Sequence, residues 1–242
     1  MSLEKNTVLT VLAAREHLYL LFTSVFGQYP SWVLFDILDS EETIGAVDLF
    51  LGDSAADSLR TASSRWNRRC CSDEKALEDL LRAEYMRAME GPGKLIAYPW
   101  ESSYQKNAAL IFQEKTLEIR EAFRKYGLQL QKDTNVPEDH IAFELLFMSE
   151  MGKRSSDALD TDDYNSFHTL VSQQIEFHDL HILTWIPKYC KDISALPDSI
   201  YIVVLAQLLS SFLEEDRKVL EEFLEISNPY DIQAGLGKAD VH

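Results

Sequence analysis

Cysteine is scarce in this chain, three in 242 residues. Cys70 and Cys71 are neighbours and Cys190 stands alone, which gives neither a disulfide framework nor a metal-ligand spacing. A reducing compartment is the natural expectation. No uninterrupted apolar run of about 18 residues is present, so no membrane span is expected. Arg15, Glu16 and His17 break the only apolar stretch near the start, so no leader peptide is expected either. Positive charge is short as well: 23 Lys and Arg stand against 40 Asp and Glu, a net charge of −17. Such a field disfavours nucleic acid and anionic membranes and speeds encounter with basic peptides. Catalytic signatures are missing too. There is no Gly-x-Ser-x-Gly elbow, no His-Glu-x-x-His and no paired Glu-x-x-His of a di-iron bundle. The glycine loops at Gly91-Pro92-Gly93-Lys94 and Gly235-Leu236-Gly237-Lys238 lack the phosphate-binding frame and a preceding strand.

Alternating strand patterns are absent, and helical periodicity fills the space they leave. Leu9, Leu12, Ala13, Glu16, Tyr19 and Leu20 predict a helix over 5–26, ended by Gly27 and Pro30. A short amphipathic helix is expected over 31–38, and loosely joined short helices over 41–66. Leu77, Leu80, Leu81, Glu84, Tyr85 and Ala88 trace a helix over 73–90 that Gly91-Pro92-Gly93 stops. Residues 94–103 read as a loop, and a helix over 104–126 is closed by Gly127. Further helices are predicted from Pro137 to Gly152, from 160 to a stop at Pro187, and from Pro197 to about 226. The expected fold is therefore all-α: one domain of two packed lobes, about 1–127 and 137–227, with a connector at 128–136 and a mobile tail at 228–242.

Three blocks stand out. The first is Tyr85-Met86-Arg87-Ala88-Met89-Glu90-Gly91-Pro92-Gly93 with Tyr98-Pro99-Trp100-Glu101-Ser102-Ser103-Tyr104. Tyr85 and Met89 are four apart and share a helix face, and the glycine break can fold Trp100 and Tyr104 back beside them. Those aromatics suit either a hydrophobic core or a groove for an apolar or helical peptide. The second block, Val136-Pro137-Glu138-Asp139-His140 leading into Ile141–Met148, is a helix start with an acid–imidazole pair, and Glu144 lies one turn beyond His140. An acid–imidazole pair suits general-base work, but no nucleophile or metal motif accompanies it, so no catalytic residue is assigned. The third block is Phe177-His178-Asp179-Leu180-His181 with Trp185-Ile186-Pro187. His178 and His181 fall on one face of a helix, and a metalloprotein using His140, His178 and His181 is the competing reading. The aromatic neighbours Phe177 and Trp185 favour a packed, hydrogen-bonded His181 instead.

In type and order these blocks resemble the TorD/DmsD family, cytoplasmic chaperones that mature molybdenum-containing redox enzymes. Ala88-Met89 replaces the family's usual Leu-Phe, and Val136 stands where many relatives carry an acid. The resemblance implies a cytoplasmic chaperone, not an enzyme, with no cofactor or metal of its own. It would hold the twin-arginine signal peptide of a molybdopterin-containing oxidoreductase before export and assist cofactor insertion. It would be a monomer or a lobe-swapped dimer. An assembly factor for a mature reductase subunit that carries no export signal is the alternative. By the same resemblance the peptide site comprises Tyr85, Met89, Trp100, Glu101, Tyr104, Pro137, Asp139, His140 and Glu144. Three large apolar side chains supply roughly 1.5–3 kcal/mol each. Association costs on the order of 4–15 kcal/mol, so carboxylates must add charge-assisted contacts with arginine. Glu84, Glu90, Glu101, Glu138, Asp139 and Glu144 are the candidates. Arg60, Arg65, Arg68 and Arg69 around Trp66 form the single basic concentration.

Overall fold

The computed structural model describes residues 5–66, 72–91, 95–105, 108–129 and 136–226, with 108–114 described by backbone alone. The Cys70-Cys71 pair, Arg68, Arg69, most of the 128–136 connector, the Pro92–Lys94 turn and the 228–242 tail lie outside these residues. Helices occupy almost everything else: α1 Lys5–Gly27, α2 Trp32–Leu38, α3 Glu41–Leu51, α4 Asp53–Ser63, α5 Glu74–Met89, α6 Ala108–Lys125, α7 Ile141–Asp160, α8 Tyr164–Phe177, α9 Leu183–Ile193 and α10 Ile202–Leu224. Among the described residues the only β-type pairing is an isolated antiparallel bridge between Trp100 and His140. The all-α expectation holds.

Local chemistry starts several of these helices. Ser31, Ser40, Asp73 and Asp163 each accept a backbone N–H from the first turn of α2, α3, α5 and α8. At the start of α10, Tyr201 offers no side-chain cap; Ser199 Oγ accepts the Val203 N–H (3.1 Å), and α5 supplies the rest. The buried Glu84 carboxylate accepts from the N–H groups of Ile200 (2.9 Å), Tyr201 (3.2 Å) and Ile202 (2.9 Å) and from Ser199 Oγ (2.5 Å). A charged acceptor satisfying three orphan donors ties the Tyr85-bearing helix to the start of α10.

Helix α1 packs most extensively on α7, with α8 and α10 completing the core around it. Two close approaches fix that pairing. A Cβ on Gly27 would lie 2.7 Å from Ala142 Cβ, and one on Gly152 would lie 2.8 Å from Nη1 of Arg15. At Gly27 the Ala142 Cβ cannot move aside, so that position needs glycine; at Gly152 a Cβ would push the Arg15 guanidinium off its Gln174 hydrogen bond. Among the described residues α1 is also the one helix long and apolar enough to cross a membrane by length and composition. Its inner face carries Val8, Leu12, Leu18, Tyr19, Phe22, Val25 and Phe26 into this core.

Several predicted boundaries move. Helix α7 begins at Ile141, not Pro137, because the preceding residues pair with the 99–102 loop: Ile141 N–H donates to Pro99 O (2.9 Å) and Glu101 N–H to Asp139 O (3.0 Å). It then passes through Gly152, which makes room for Arg15 and stops nothing, and ends at Asp160. The helix expected over 160–185 begins only at Tyr164, after Asp162 turns the chain at φ 60°. It is then interrupted by a π turn at His178–Ile182, and Pro187 lies inside α9 without ending it. A π turn already shifts the hydrogen-bond ladder one turn before the proline, where a missing N–H is least disruptive. Helix α10 starts at Ile202, not Pro197, where the Glu84 cap sits.

Candidate functional site

The antiparallel bridge holds the 95–105 loop against the chain entering α7. Asp139 is the clamp: wholly buried, it accepts Ser102 N–H at Oδ2 (3.1 Å) and Thr116 Oγ1–H at Oδ1 (3.2 Å). Beside it Glu138 makes a two-pronged pair with Arg120 of α6, at 2.6 and 3.0 Å. His140 caps α7, its Nδ1 accepting Ala142 N–H at 3.2 Å, while its ring meets Trp100 edge-on at 5.7 Å. The first turn of α7 therefore carries neither Glu138 nor Asp139, contrary to expectation; a side-chain cap replaces the proline start.

Beneath this clamp lies a dense carboxylate group. Glu101 and Glu144 are fully buried. Glu101 Oε2 pairs with His181 Nδ1 at 2.9 Å, and Lys115 Nζ stands 3.7 Å from its Oε1. Glu144 Oε2 accepts the indole N–H of Trp185 at 3.0 Å. Among the described residues neither Oε1 atom has a hydrogen-bond partner. Burial, and then the charge of Glu101, push the Glu144 carboxyl well above the ordinary range. Burial alone holds the His140 imidazole down to about 4, so it is neutral at physiological pH and free to accept the cap hydrogen bond.

Trp185 links this group to the aromatic anchors. Its ring lies 5.6 Å from Tyr104 and 5.8 Å from Tyr189. Tyr189 in turn meets Tyr104 at 6.5 Å and points its hydroxyl at Met89 Sδ, 2.8 Å away. Tyr104 bonds Asp192 through its own hydroxyl (3.1 Å). Tyr85 is buried, with the ring of the exposed Tyr29 5.2 Å from its own.

The nine expected residues thus form one connected region with two depths. Tyr85, Met89, Glu101, Asp139 and Glu144 are buried, whereas Trp100, Tyr104, Pro137 and His140 are half-buried and reachable. The residues that join them escaped sequence reasoning as site members: Tyr189, Lys115, Thr116, Asp192 and Tyr29. Only Tyr189 carried a signal, lying one helical turn after Trp185. His181 is packed and hydrogen-bonded as expected, with the Phe177 ring 4.8 Å away. His178 and His181 do not share a face, however. The π turn sends His181 to Glu101 and His178 toward Asp216 (3.6 Å), so His140, His178 and His181 enter three different sets of contacts. Among the described residues no group of three His, Cys, Asp or Glu could hold a metal ion. Arg60 pairs with Glu41 (3.6 Å) and Asp57 (3.3 Å), and Trp66 is wholly buried against Phe35 and Tyr201.

A family model described as the nitrate reductase delta subunit matches residues 53–191, which include all nine candidate residues together with His181, Trp185 and Tyr189. Chaperone protein TorD of Vibrio parahaemolyticus is 25% identical over 211 residues, covering 85% of this chain and 94% of its own. TorD of Aliivibrio salmonicida is 25% identical over 164 residues (68% and 74%), and TorD of Vibrio atlanticus 29% over 170 (69% and 74%). A solved structure described as a redox enzyme maturation protein, from Archaeoglobus fulgidus, superposes with a TM-score of 0.46 at 22% identity, covering 83% of this chain and 93% of the other.

Proposed function

Because the chain belongs to the nitrate reductase delta subunit family, which includes the TorD chaperones, we propose that it is a cytoplasmic maturation chaperone for a molybdopterin-containing oxidoreductase. It holds the client's twin-arginine signal peptide, keeps the precursor from early export and favours cofactor insertion. The relatives are named chaperones, and the chain is a binding protein, not an enzyme.

The observation that carries this reading is the layering of the site inside the matched segment. Reachable aromatic and imidazole surface at Trp100, Tyr104, Pro137 and His140 rests on buried carboxylates that fix its shape. In this mechanism the peptide's apolar segment lies against the outer layer. Met89 supports that layer from behind through Tyr189, whose ring meets Tyr104. Asp139, Glu101 and Glu144 act as positioning residues: Asp139 holds the 95–105 loop onto the entry to α7, and Glu144 holds Trp185 under Tyr104. No bond is made or broken.

Titration calorimetry with a twin-arginine signal peptide from a molybdenum reductase, beside a twin-lysine version, tests this directly. Tighter binding of the arginine peptide is expected. The matched family is described by a reductase subunit. Binding to a mature reductase subunit with no binding to any signal peptide would therefore establish the assembly-factor reading in its place.

A further inference from the structure

Six carboxylates near the motifs are candidates to meet a client arginine, and the structure divides them unequally. Glu84 caps α10, Asp139 clamps the 95–105 loop, Glu138 is paired with Arg120, and Glu101 and Glu144 are sealed inside. Glu90, exposed at the end of α5, is the one left at the surface beside Tyr85 and Met89. It accepts the hydroxyl of Tyr29, a residue 40% exposed. The face of that ring is already covered: the guanidinium of Arg82 sits 4.5 Å from its centroid. Arg82, Met86 and Glu90 are spaced by four along α5 and share its exposed face, with Met86 40% exposed between the two charges. A ring face, a thioether and a carboxylate at the ring's tip make up the chemistry that receives an arginine side chain: stacking for the planar cation and a charge-assisted hydrogen bond at its edge.

We propose that Tyr29, Met86 and Glu90 form a guanidinium-binding subsite, and that Arg82 occupies its aromatic face in the free protein as a built-in competitor. A client arginine displaces Arg82 from the ring and pairs with Glu90. This rests on the peptide-binding reading above and names the chemical group that the outer rim of that site takes. It also favours arginine over lysine, since only a planar cation can cover the ring and reach the carboxylate together.

The experiment compares Arg82→Ala with Arg87→Ala. Arg87 is another exposed arginine of α5, so its loss removes the same charge without uncovering Tyr29. An exposed cation–π contact is worth about 0.5–1 kcal/mol, and 1.4 kcal/mol is a factor of ten. Arg82→Ala should therefore tighten the twin-arginine peptide by roughly two- to fivefold more than Arg87→Ala does, as read by calorimetry. Combining it with Tyr29→Leu should abolish that gain. Equal effects of the two arginine variants, or a gain that survives Tyr29→Leu, would overturn the subsite. A second arm does not depend on the peptide: N-acetylarginine amide, followed by nuclear magnetic resonance at Tyr29 and Glu90. Larger shifts in Arg82→Ala than in the wild type or Arg87→Ala support the subsite even if no signal peptide binds, in which case only the export-signal reading fails. No shift at these residues in Arg82→Ala counts against the subsite itself.

Discussion

In the α1–α10 core, Asp216 meets Arg15 through two hydrogen bonds of 2.5 and 3.1 Å, and it also accepts the Tyr19 hydroxyl at 2.6 Å. Gln174 accepts from the remaining Arg15 nitrogen at 2.6 Å and donates to Ser155, so every guanidinium nitrogen of the wholly buried Arg15 is bonded. Burial alone would raise Asp216, but Arg15 and then His178 hold it down to about 2. At the junction below the loop the balance is reversed. Of three buried carboxylates, Glu101 takes the His181 imidazole and stands 3.7 Å from Lys115, which pairs more closely with Glu118 at 2.7 Å; Asp139 accepts from Ser102 and Thr116, and Glu144, beside Glu101, is driven up. One π turn serves both places, giving His178 to the first and His181 to the second. The contrast separates a matched ion pair that fixes how helices pack from an under-neutralised cluster that shapes a surface.

The sharpest way to break this contrast is to unbalance the matched side. Arg15→Ala leaves Asp216 buried without its cation, and breaking a buried pair costs about 3–5 kcal/mol. Urea unfolding at pH 7 should show that loss. A cost below about 1 kcal/mol would mean that the two networks are not different in kind.

Why sequence reasoning saw one network and not the other follows from what each is made of. The helical stripes of α1, α5 and α10 were legible because apolar spacing is local. Tyr85, Met89, Trp100 and His140 were singled out because their blocks lie in a recognisable order. In the sequence Arg15 marks only an interruption of an apolar run. Its partners Asp216 and Gln174 are 201 and 159 residues away, and nothing local marks such a meeting. The α10 cap failed to show for the same reason, since Glu84 reaches across more than a hundred residues. Pro137 and Pro187 misled because a proline states what its own N–H cannot do, not what the tertiary neighbours supply: a loop bridge in one case, a π turn in the other.

On the under-neutralised side the effects are smaller and graded. Asp139→Ala strands the buried N–H of Ser102, and one unsatisfied buried donor costs about 1–3 kcal/mol. Asp139→Asn, which keeps an acceptor, should recover most of it in the same unfolding assay. If both variants matched the wild type, the clamp would carry no stability. His140→Ala removes the cap of α7, a loss of about 1 kcal/mol. It should also change the pH profile. With the folded imidazole held at about 4, the contribution of His140 is fully present above the unfolded value near 6.5 and is lost as pH falls through about 4. The alanine variant should therefore unfold with a shallower pH dependence across that window, and an unchanged slope would place the titration elsewhere.

The smallest change tests the contrast most cleanly. Glu144 carries a carboxyl raised by burial and by Glu101, the opposite of Asp216. Between its unfolded value of about 4.3 and its raised folded value, the folded state binds more proton than the unfolded one, so the group's contribution falls as pH rises. Glu144→Gln places a permanently neutral amide where a neutral acid sits, with an oxygen still available to the Trp185 indole. At pH 4 the variant should differ from wild type by less than about 1 kcal/mol. Toward neutral pH it should gain on the wild type, because it escapes the growing cost of ionising a buried acid beside Glu101. Asp216→Asn should move the other way over the acid range, falling short of wild type above about pH 4 and converging with it as pH drops toward 2. Opposite slopes for two buried carboxylates in one chain are the signature of a matched pair and an unmatched cluster. Parallel slopes would mean that Lys115 and His181 neutralise the junction as fully as Arg15 neutralises the core.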